Sequence, residues 1–421
     1  MQDCLQLQPD HRCTIRGLIP LLLCMVSTLA PQNVYAQSDS GWLAKPSLMA
    51  ALAEDDNIFF SSTNPEDDSV LRVSPAIEAG YRSAPTAFNA YYTLDALHYD
   101  RFSELDDNTA RQHGELNFSH EATTRLSLLA DSSYTETEAP GEIDPISGLE
   151  LGRVRAEHFY FSPGAVYQFD RVTTGSVSYS LNREDVAGGV GSDTQVLALH
   201  ADHLVSRRDT LSFGYQAESF DFEDGGSVDM HVLLVGGTRR FTPQTSVSLL
   251  AGPRFWEDGD EDEIDPEVAA GFLHEFSRGD FGVTYARSQT AVIGIEGAAT
   301  TQNLNVELVY PIGKDLGLRF ETGFITSELR GLEADSVVTD AELAWRLDDY
   351  LTLVGSYEFN SQRGSLETPD FGEIDRRVVW IGLVIAPPVR TDSAWWRRER
   401  ANSTVLEEPT LRRRELRLES E

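Results

Sequence analysis

The chain has 421 residues, with 68 acidic against 34 basic side chains and a formal charge of −34. That balance lacks the basic stripe needed to neutralise phosphates, so no nucleic-acid partner is expected. Beyond the N-terminal segment no stretch approaches 18 consecutive apolar residues, which excludes a helical membrane protein.

The first 36 residues read as an export signal. His11, Arg12 and Arg16 form a positive n-region, residues 17–30 form a short apolar run, and Val34-Tyr35-Ala36 offers small residues for cleavage after Ala36. Leu23 is too bulky for lipoprotein processing at Cys24. All three cysteines, Cys4, Cys13 and Cys24, lie in this segment, so the exported chain holds no disulfide, thiolate ligand or thiol nucleophile. Residues 37–45 are expected to be a periplasmic lead, and 46–386 a transmembrane β-barrel.

Across 46–386 the apolar positions alternate with period 2, and no segment shows a 3.6-residue period. Thr173, Gly175, Val177, Tyr179 and Leu181 alternate with polar residues such as Ser176 and Ser178. The pattern recurs as Leu211, Phe213, Tyr215 and Ala217, then as Leu304, Val306, Leu308 and Tyr310. Val337, Thr339, Ala341, Leu343 and Trp345 repeat it near the end. A mean hydropathy of −0.29 is what lipid-facing and lumen-facing rows give when averaged.

Eight tight turns fall near Ala84, Ala122, Asp170, Arg207, Pro243, Arg278, Gly313 and Asp348, separated by longer acidic stretches. Eight turns join nine hairpins, which predicts an all-β, antiparallel transmembrane barrel of 18 strands, or 16 if a terminal hairpin stays out of the wall. Short periplasmic turns and long outer loops belong to such barrels. A propeller would repeat four-stranded blades with a recurrent motif, which is absent. The expected location is the cell outer membrane of a Gram-negative bacterium.

The acids concentrate in the nine longer stretches, which hold 36 of them against one base, Arg330. Arg82, Arg125, Arg171, Arg207, Arg208, Arg278 and Lys314 sit beside the tight turns, where they can contact outer-membrane lipids. The densest acidic run is Glu257 to Glu267. Within it Asp258, Asp260, Asp262 and Asp265 have spacing suited to loose surface Ca²⁺ or Mg²⁺, although Glu263 stands where an EF-hand needs glycine. No other cofactor is expected.

Several charged sets share a strand face and are expected to line the lumen: Arg153, Arg155 and Glu157; Asp229, His231 and Arg239; Arg319 and Glu321; Asp340, Glu342 and Arg346. They read either as a charge ladder satisfying the wall or as a wetted pathway that sets solute selectivity. His200 and His203 fall on opposite faces and cannot chelate one metal. No nucleophile elbow, zinc-protease helix or phosphate loop occurs, so no enzymatic activity is expected.

The segment Pro46-Ser47-Leu48, then Glu54-Asp55-Asp56-Asn57-Ile58-Phe59, Ser74-Pro75, Tyr81-Arg82-Ser83 and Tyr91 resembles a porin-like outer-membrane family, the second family of beta-barrel porins. The resemblance implies an outer-membrane barrel associated with exopolysaccharide gene clusters, and no catalytic residues. One departure is the end of the chain. The strand containing Val378, Trp380, Gly382 and Val384 is stopped by Pro387-Pro388, and the tail 387–421 that follows carries Trp395-Trp396, Arg397-Arg398 and Arg412-Arg413-Arg414. An assembly signal read by the barrel-assembly machinery must then be internal, and the tail is expected to be a periplasmic appendage. The functional expectation is a porin-like barrel passing or helping export small hydrophilic solutes or polysaccharide. The alternative is a structural or surface-interaction barrel with a plugged lumen and cation- or glycan-binding loops.

Overall fold

A computed structural model describes residues 41–387 apart from 143, 145, 150–151, 224, 259–260 and 366–372; of 257, 258, 261 and 262 it describes the backbone. The expected signal segment and the tail beyond 387 lie outside the described residues.

Eighteen antiparallel strands form one wall. In chain order they are β1 (Gly41–Asp55), β2 (Asp68–Arg82), β3 (Thr86–Tyr99), β4 (Asp107–Glu121), β5 (Leu126–Thr137) and β6 (Ala156–Gln168). Next come β7 (Thr173–Val186), β8 (Ser192–Leu204), β9 (Asp209–Phe222), β10 (Ser227–Thr242), β11 (Thr245–Asp258) and β12 (Glu261–Phe276). The last six are β13 (Gly279–Val292), β14 (Ile295–Pro311), β15 (Leu316–Leu329), β16 (Leu332–Arg346), β17 (Leu351–Gly364) and β18 (Glu373–Ile385). Each strand pairs with the next, and β1 pairs with β18 from Leu48↔Ile385 to Asp55↔Val378, which closes the barrel. All eight expected turns lie at one end.

The alternation has its physical cause in the wall. Phe213, Leu233, Val235, Leu249, Phe324 and Ile381 are about half exposed on the outer face, while their chain neighbours point inward. A water-soluble protein does not expose so continuous an apolar surface. On a closed barrel this surface is the lipid-facing belt, where the backbone groups of neighbouring strands satisfy each other in the ladder. The chain is therefore a membrane-spanning barrel of the outer-membrane type.

Two boundaries differ from the sequence expectation. Strand β1 begins at Gly41, so residues 41–45 of the expected lead belong to the wall; there Trp42 packs on Tyr81 at 5.0 Å between ring centroids, and Lys45 pairs with Glu78 at 3.4 Å. The acidic run 257–267 is mostly strand, paired Glu257↔Asp262 and Arg254↔Asp265. Acids at the loop end thus ride on extended strands as well as on connections.

Two segments at that loop end turn into the barrel. One comprises the described residues of 138–155, between β5 and β6; the other is the tip of the β13–β14 hairpin. Leu149, Val292, Ile293 and Ala299 in these segments are at most 1 % exposed. They pack with Ala156, Val186, Leu329 and Ala334 of the wall in apolar clusters. Burying each large side chain stabilises the inward position by about 1.5–3 kcal/mol.

Candidate functional site

The lumen is the candidate site, and segment 138–155 sets its outer constriction. A short 3₁₀ turn, Pro140–Glu142, follows β5 and aims Glu142 at the inner wall. The Glu142 carboxylate accepts from Arg111 Nε at 2.7 Å and from Thr137 Oγ1 at 3.1 Å. Burial alone would raise its pKa, but Arg111, Arg72 and Arg376 together outweigh burial and hold it below the usual carboxylate range. Arg72 and Arg111 also share Asp95, at 2.5 and 3.7 Å.

The segment then crosses to the opposite wall. Asp144 accepts from Ser147 Oγ at 2.5 Å, Ser147 N at 3.1 Å and Ile293 N at 3.3 Å. Its burial raises the carboxyl pKa despite these bonds. Ser327 Oγ of β15 donates to Ser147 O at 3.2 Å. Gly148 has φ +63°, and a Cβ there would lie 2.5 Å from Ile325 Cδ1, so only glycine fits. The described residues of this strap, Glu142, Asp144 and Ser147, thus bond both β5 and β15, ten strands around the ring, and narrow the lumen at its loop end.

The Asp-Asp-Asn-Ile-Phe run rivets the closing seam beside this strap. Asp55 takes both Nε and Nη2 of Arg376, at 3.0 and 2.6 Å, and Asn57 Nδ2 donates to Asp375 O and Ser61 O at 3.0 Å each. The Arg376 guanidinium lies 4.3 Å from the Phe60 ring centroid.

Towards the turn end the inner wall changes character. The register sets Glu307 of β14 opposite Glu321 of β15, Glu321 opposite Asp340 of β16, and Asp340 opposite Glu358 of β17. Four carboxylates thus form one continuous inward row, with Glu342 one step away. Arg319 bonds Glu321 at 3.0 Å; Asn305, Ser356 and Trp380 donate to Glu321, Asp340 and Glu358. Like charges directly opposite each other destabilise a sheet, so packing alone does not account for the row. The same half of the lumen receives Glu78, Glu115, Asp131, Asp202, Glu275 and Asp280 by strand parity, against Lys45 and Arg240.

The expected lumen sets divide accordingly. Arg319, Glu321, Asp340 and Glu342 face inward, and Arg346 pairs with Asp315 at the turn-side rim at 2.7 Å. Arg153 precedes β6 and folds inward, donating to Tyr99 Oη at 2.7 Å and pairing with Glu138. Arg155 and Glu157 do not join it: Arg155 is exposed on the outer face, ion-paired with Glu136 and Glu157. Asp229, His231 and Arg239 also point outward, because they share the parity of Leu233 and Val235. His231 stacks on outward-facing Tyr215, bonded at 3.0 Å. Above and below the apolar belt the outer face is wet, so polarity there no longer marks the lumen.

Of the expected cation ligands, Asp265 is the one whose side chain is described. It points inward to Arg254 at 3.4 Å and Arg287 at 3.6 Å. Asp258 and Asp262 are described in backbone alone, and Asp260 lies outside the described residues. His200 faces inward on Asp202 at 3.1 Å, and His203 faces outward on Thr173 at 3.0 Å.

No family model matches the chain, and no curated protein matches its sequence. Among the solved structures it is similar to are several Pseudomonas aeruginosa proteins. With OccK5 (OpdH) it shares 10 % identity at TM-score 0.43, covering 82 % of this chain and 98 % of that one. For OpdO the values are 11 %, 0.44, 82 % and 96 %, and for the siderophore receptor PirA 11 %, 0.38, 82 % and 80 %. Likeness this distant carries no function across, and the barrel assignment rests on the strand register and the outer apolar belt.

Proposed function

We propose that the protein is a porin-like barrel of the outer membrane that passes small hydrophilic solutes, with a preference for cations. The inward carboxylate row Glu307–Glu321–Asp340–Glu358 carries this reading. Inside a water-filled tube such a row raises the local cation concentration, and it is less screened than charges on outer loops. Exopolysaccharide export, which the sequence resemblance implied, needs a wide passage. The strap 138–155 and the inward hairpin tip favour small solutes instead.

A second reading, a structural barrel with a plugged lumen, draws on the apolar clusters at the loop end. Conductance of the purified protein in planar bilayers separates the two. Cation-selective steps are expected, with a reversal potential in a KCl gradient that shrinks as salt rises. Silence across voltage and salt, in a protein verified as folded, would favour the plug.

A further inference from the structure

We propose that the β13–β14 hairpin is a gate, able to leave the lumen and zip onto the free edge of β12. The inference rests on reading the lumen as a pathway, and the strand register is its main support. The β12–β13 ladder runs from Phe276↔Gly279 to Val268↔Arg287 and stops there. Both strands continue, β12 to Glu261 and β13 to Val292. Among the described residues no strand pairs with that upper edge of β12, whereas β13 keeps β14 as its partner up to Val292↔Ile295. The hairpin therefore leaves the wall as an intact two-stranded unit.

Two seats are available to it. In the inward seat, Ala291 and Ala298 pack with Phe220 and Met230, and Val292 and Ala299 pack with Leu149 and Leu329. Gly294 bridges Val190, and Ile293 N donates to Asp144. In the outward seat, continuing the existing register would set Ser288 opposite Glu267, Ala291 opposite Ile264 and Val292 opposite Glu263. Those ladder bonds would replace the apolar contacts, less the N–H that Pro266 lacks. An uncovered strand edge is otherwise a template for foreign pairing, and the hairpin is the segment placed to cover it.

The tip and the seam are built for such an exchange. Gly294 and Gly297 hold φ of +77° and +114°, which lets the turn reshape without Cβ strain. Arg254, 0 % exposed, ties the edge to the hairpin, donating to Glu267 of β12 at 3.0 Å and to Thr300 of β14 at 3.5 Å. Moving the tip outward would remove the apolar plug from the outer half of the lumen.

Cysteine pairs in the full chain test the swing, since every native cysteine precedes residue 25. Ile264 is 70 % exposed on the outer face of β12 and Ala291 is 6 % exposed inside the lumen, so Ile264→Cys with Ala291→Cys should cross-link only when the hairpin zips outward. Ala269→Cys with Ala286→Cys are ladder partners and should cross-link under the same oxidant in either state. Heat-modifiable migration verifies that each variant is folded. The expected results are a cross-link in the test pair, formed several-fold faster when Val292→Asp puts a charge into the apolar seat, and a higher bilayer conductance oxidised than reduced. A control pair that cross-links beside a test pair that never does, even with Val292→Asp, overturns the swing. A cross-link that leaves conductance steps unchanged overturns the gating role. A cross-link in a barrel silent in both redox states supports the swing and overturns the conduction reading beneath it.

Discussion

Replacing Phe213 with arginine should cost the barrel about 2–4 kcal/mol, the value for a cation at the bilayer midplane on the lipid face. The structure sets the depth. Phe213 is four residues above the start of β9 at Asp209. At about 3.4 Å rise and about 40° tilt that is roughly 10 Å into an apolar band about 25 Å tall. Its cross-strand neighbours are Ala201 and Val235, which offer no polar partner, so the guanidinium must snorkel. Ser178 lies at a similar height on β7 but faces inward between Gly164 and Ala198. Arginine there keeps its charge in water and should cost about 1 kcal/mol or less. Urea unfolding in lipid vesicles, followed by tryptophan emission, would report the midpoint shift at constant slope. Equal costs at the two positions would refute both the register and the belt.

Neutralising the inner row with Glu321→Gln, Asp340→Asn and Glu358→Gln should move the reversal potential towards zero in dilute salt. It should change little near 1 M, where the Debye length is about 3 Å; the full-length barrel in a salt gradient measures it. The strap should loosen as pH rises, because the buried Asp144 carboxyl has a raised pKa in the folded state. For an acid shifted upward, the folded state binds the proton more tightly than the unfolded one. Stability is then greatest below the ordinary carboxylate pKa of about 4 and falls until the raised value is passed. Asp144→Asn should abolish that dependence, read as hydrogen exchange of the Ile293 amide corrected for intrinsic rate; a pH trend surviving the substitution would sink the assignment.

The strand count and the eight turns were legible in the sequence because a closed wall forces side chains to alternate and a tight turn forces a break in the alternation. The inward segments were not read, although one carried a signal. Each of the other eight long stretches holds three or more acids, while the stretch around Ala291-Val292-Ile293-Gly294-Ile295 has Glu296 alone, just past an uncharged tip. An uncharged, apolar loop tip on so acidic a protein has to be covered. The outward placing of Asp229, His231 and Arg239 was within reach too, since Leu233 and Val235 share their parity. The acidic row was only half visible: Glu321 and Asp340 stood out on their own strands, but setting them beside Glu307 and Glu358 needs the register between strands, which periodicity does not supply.

The closing seam also dictates the order in which the molecule can be made. Asp55 and Arg376 meet across 321 positions of chain, so the first strand must wait for the last before either has its second neighbour. The entropy of closing so long a loop grows only logarithmically with length, but the wait itself is long, and during it β1 and β18 each offer an unfilled edge inside a membrane that tolerates none. Whatever holds the nascent sheet must therefore shield two edges at once and release them together. The charged rivet at Asp55, Asn57 and Arg376 then makes closure a single event at the end of assembly, and a lesion there should leave sheets that form normally yet stay open.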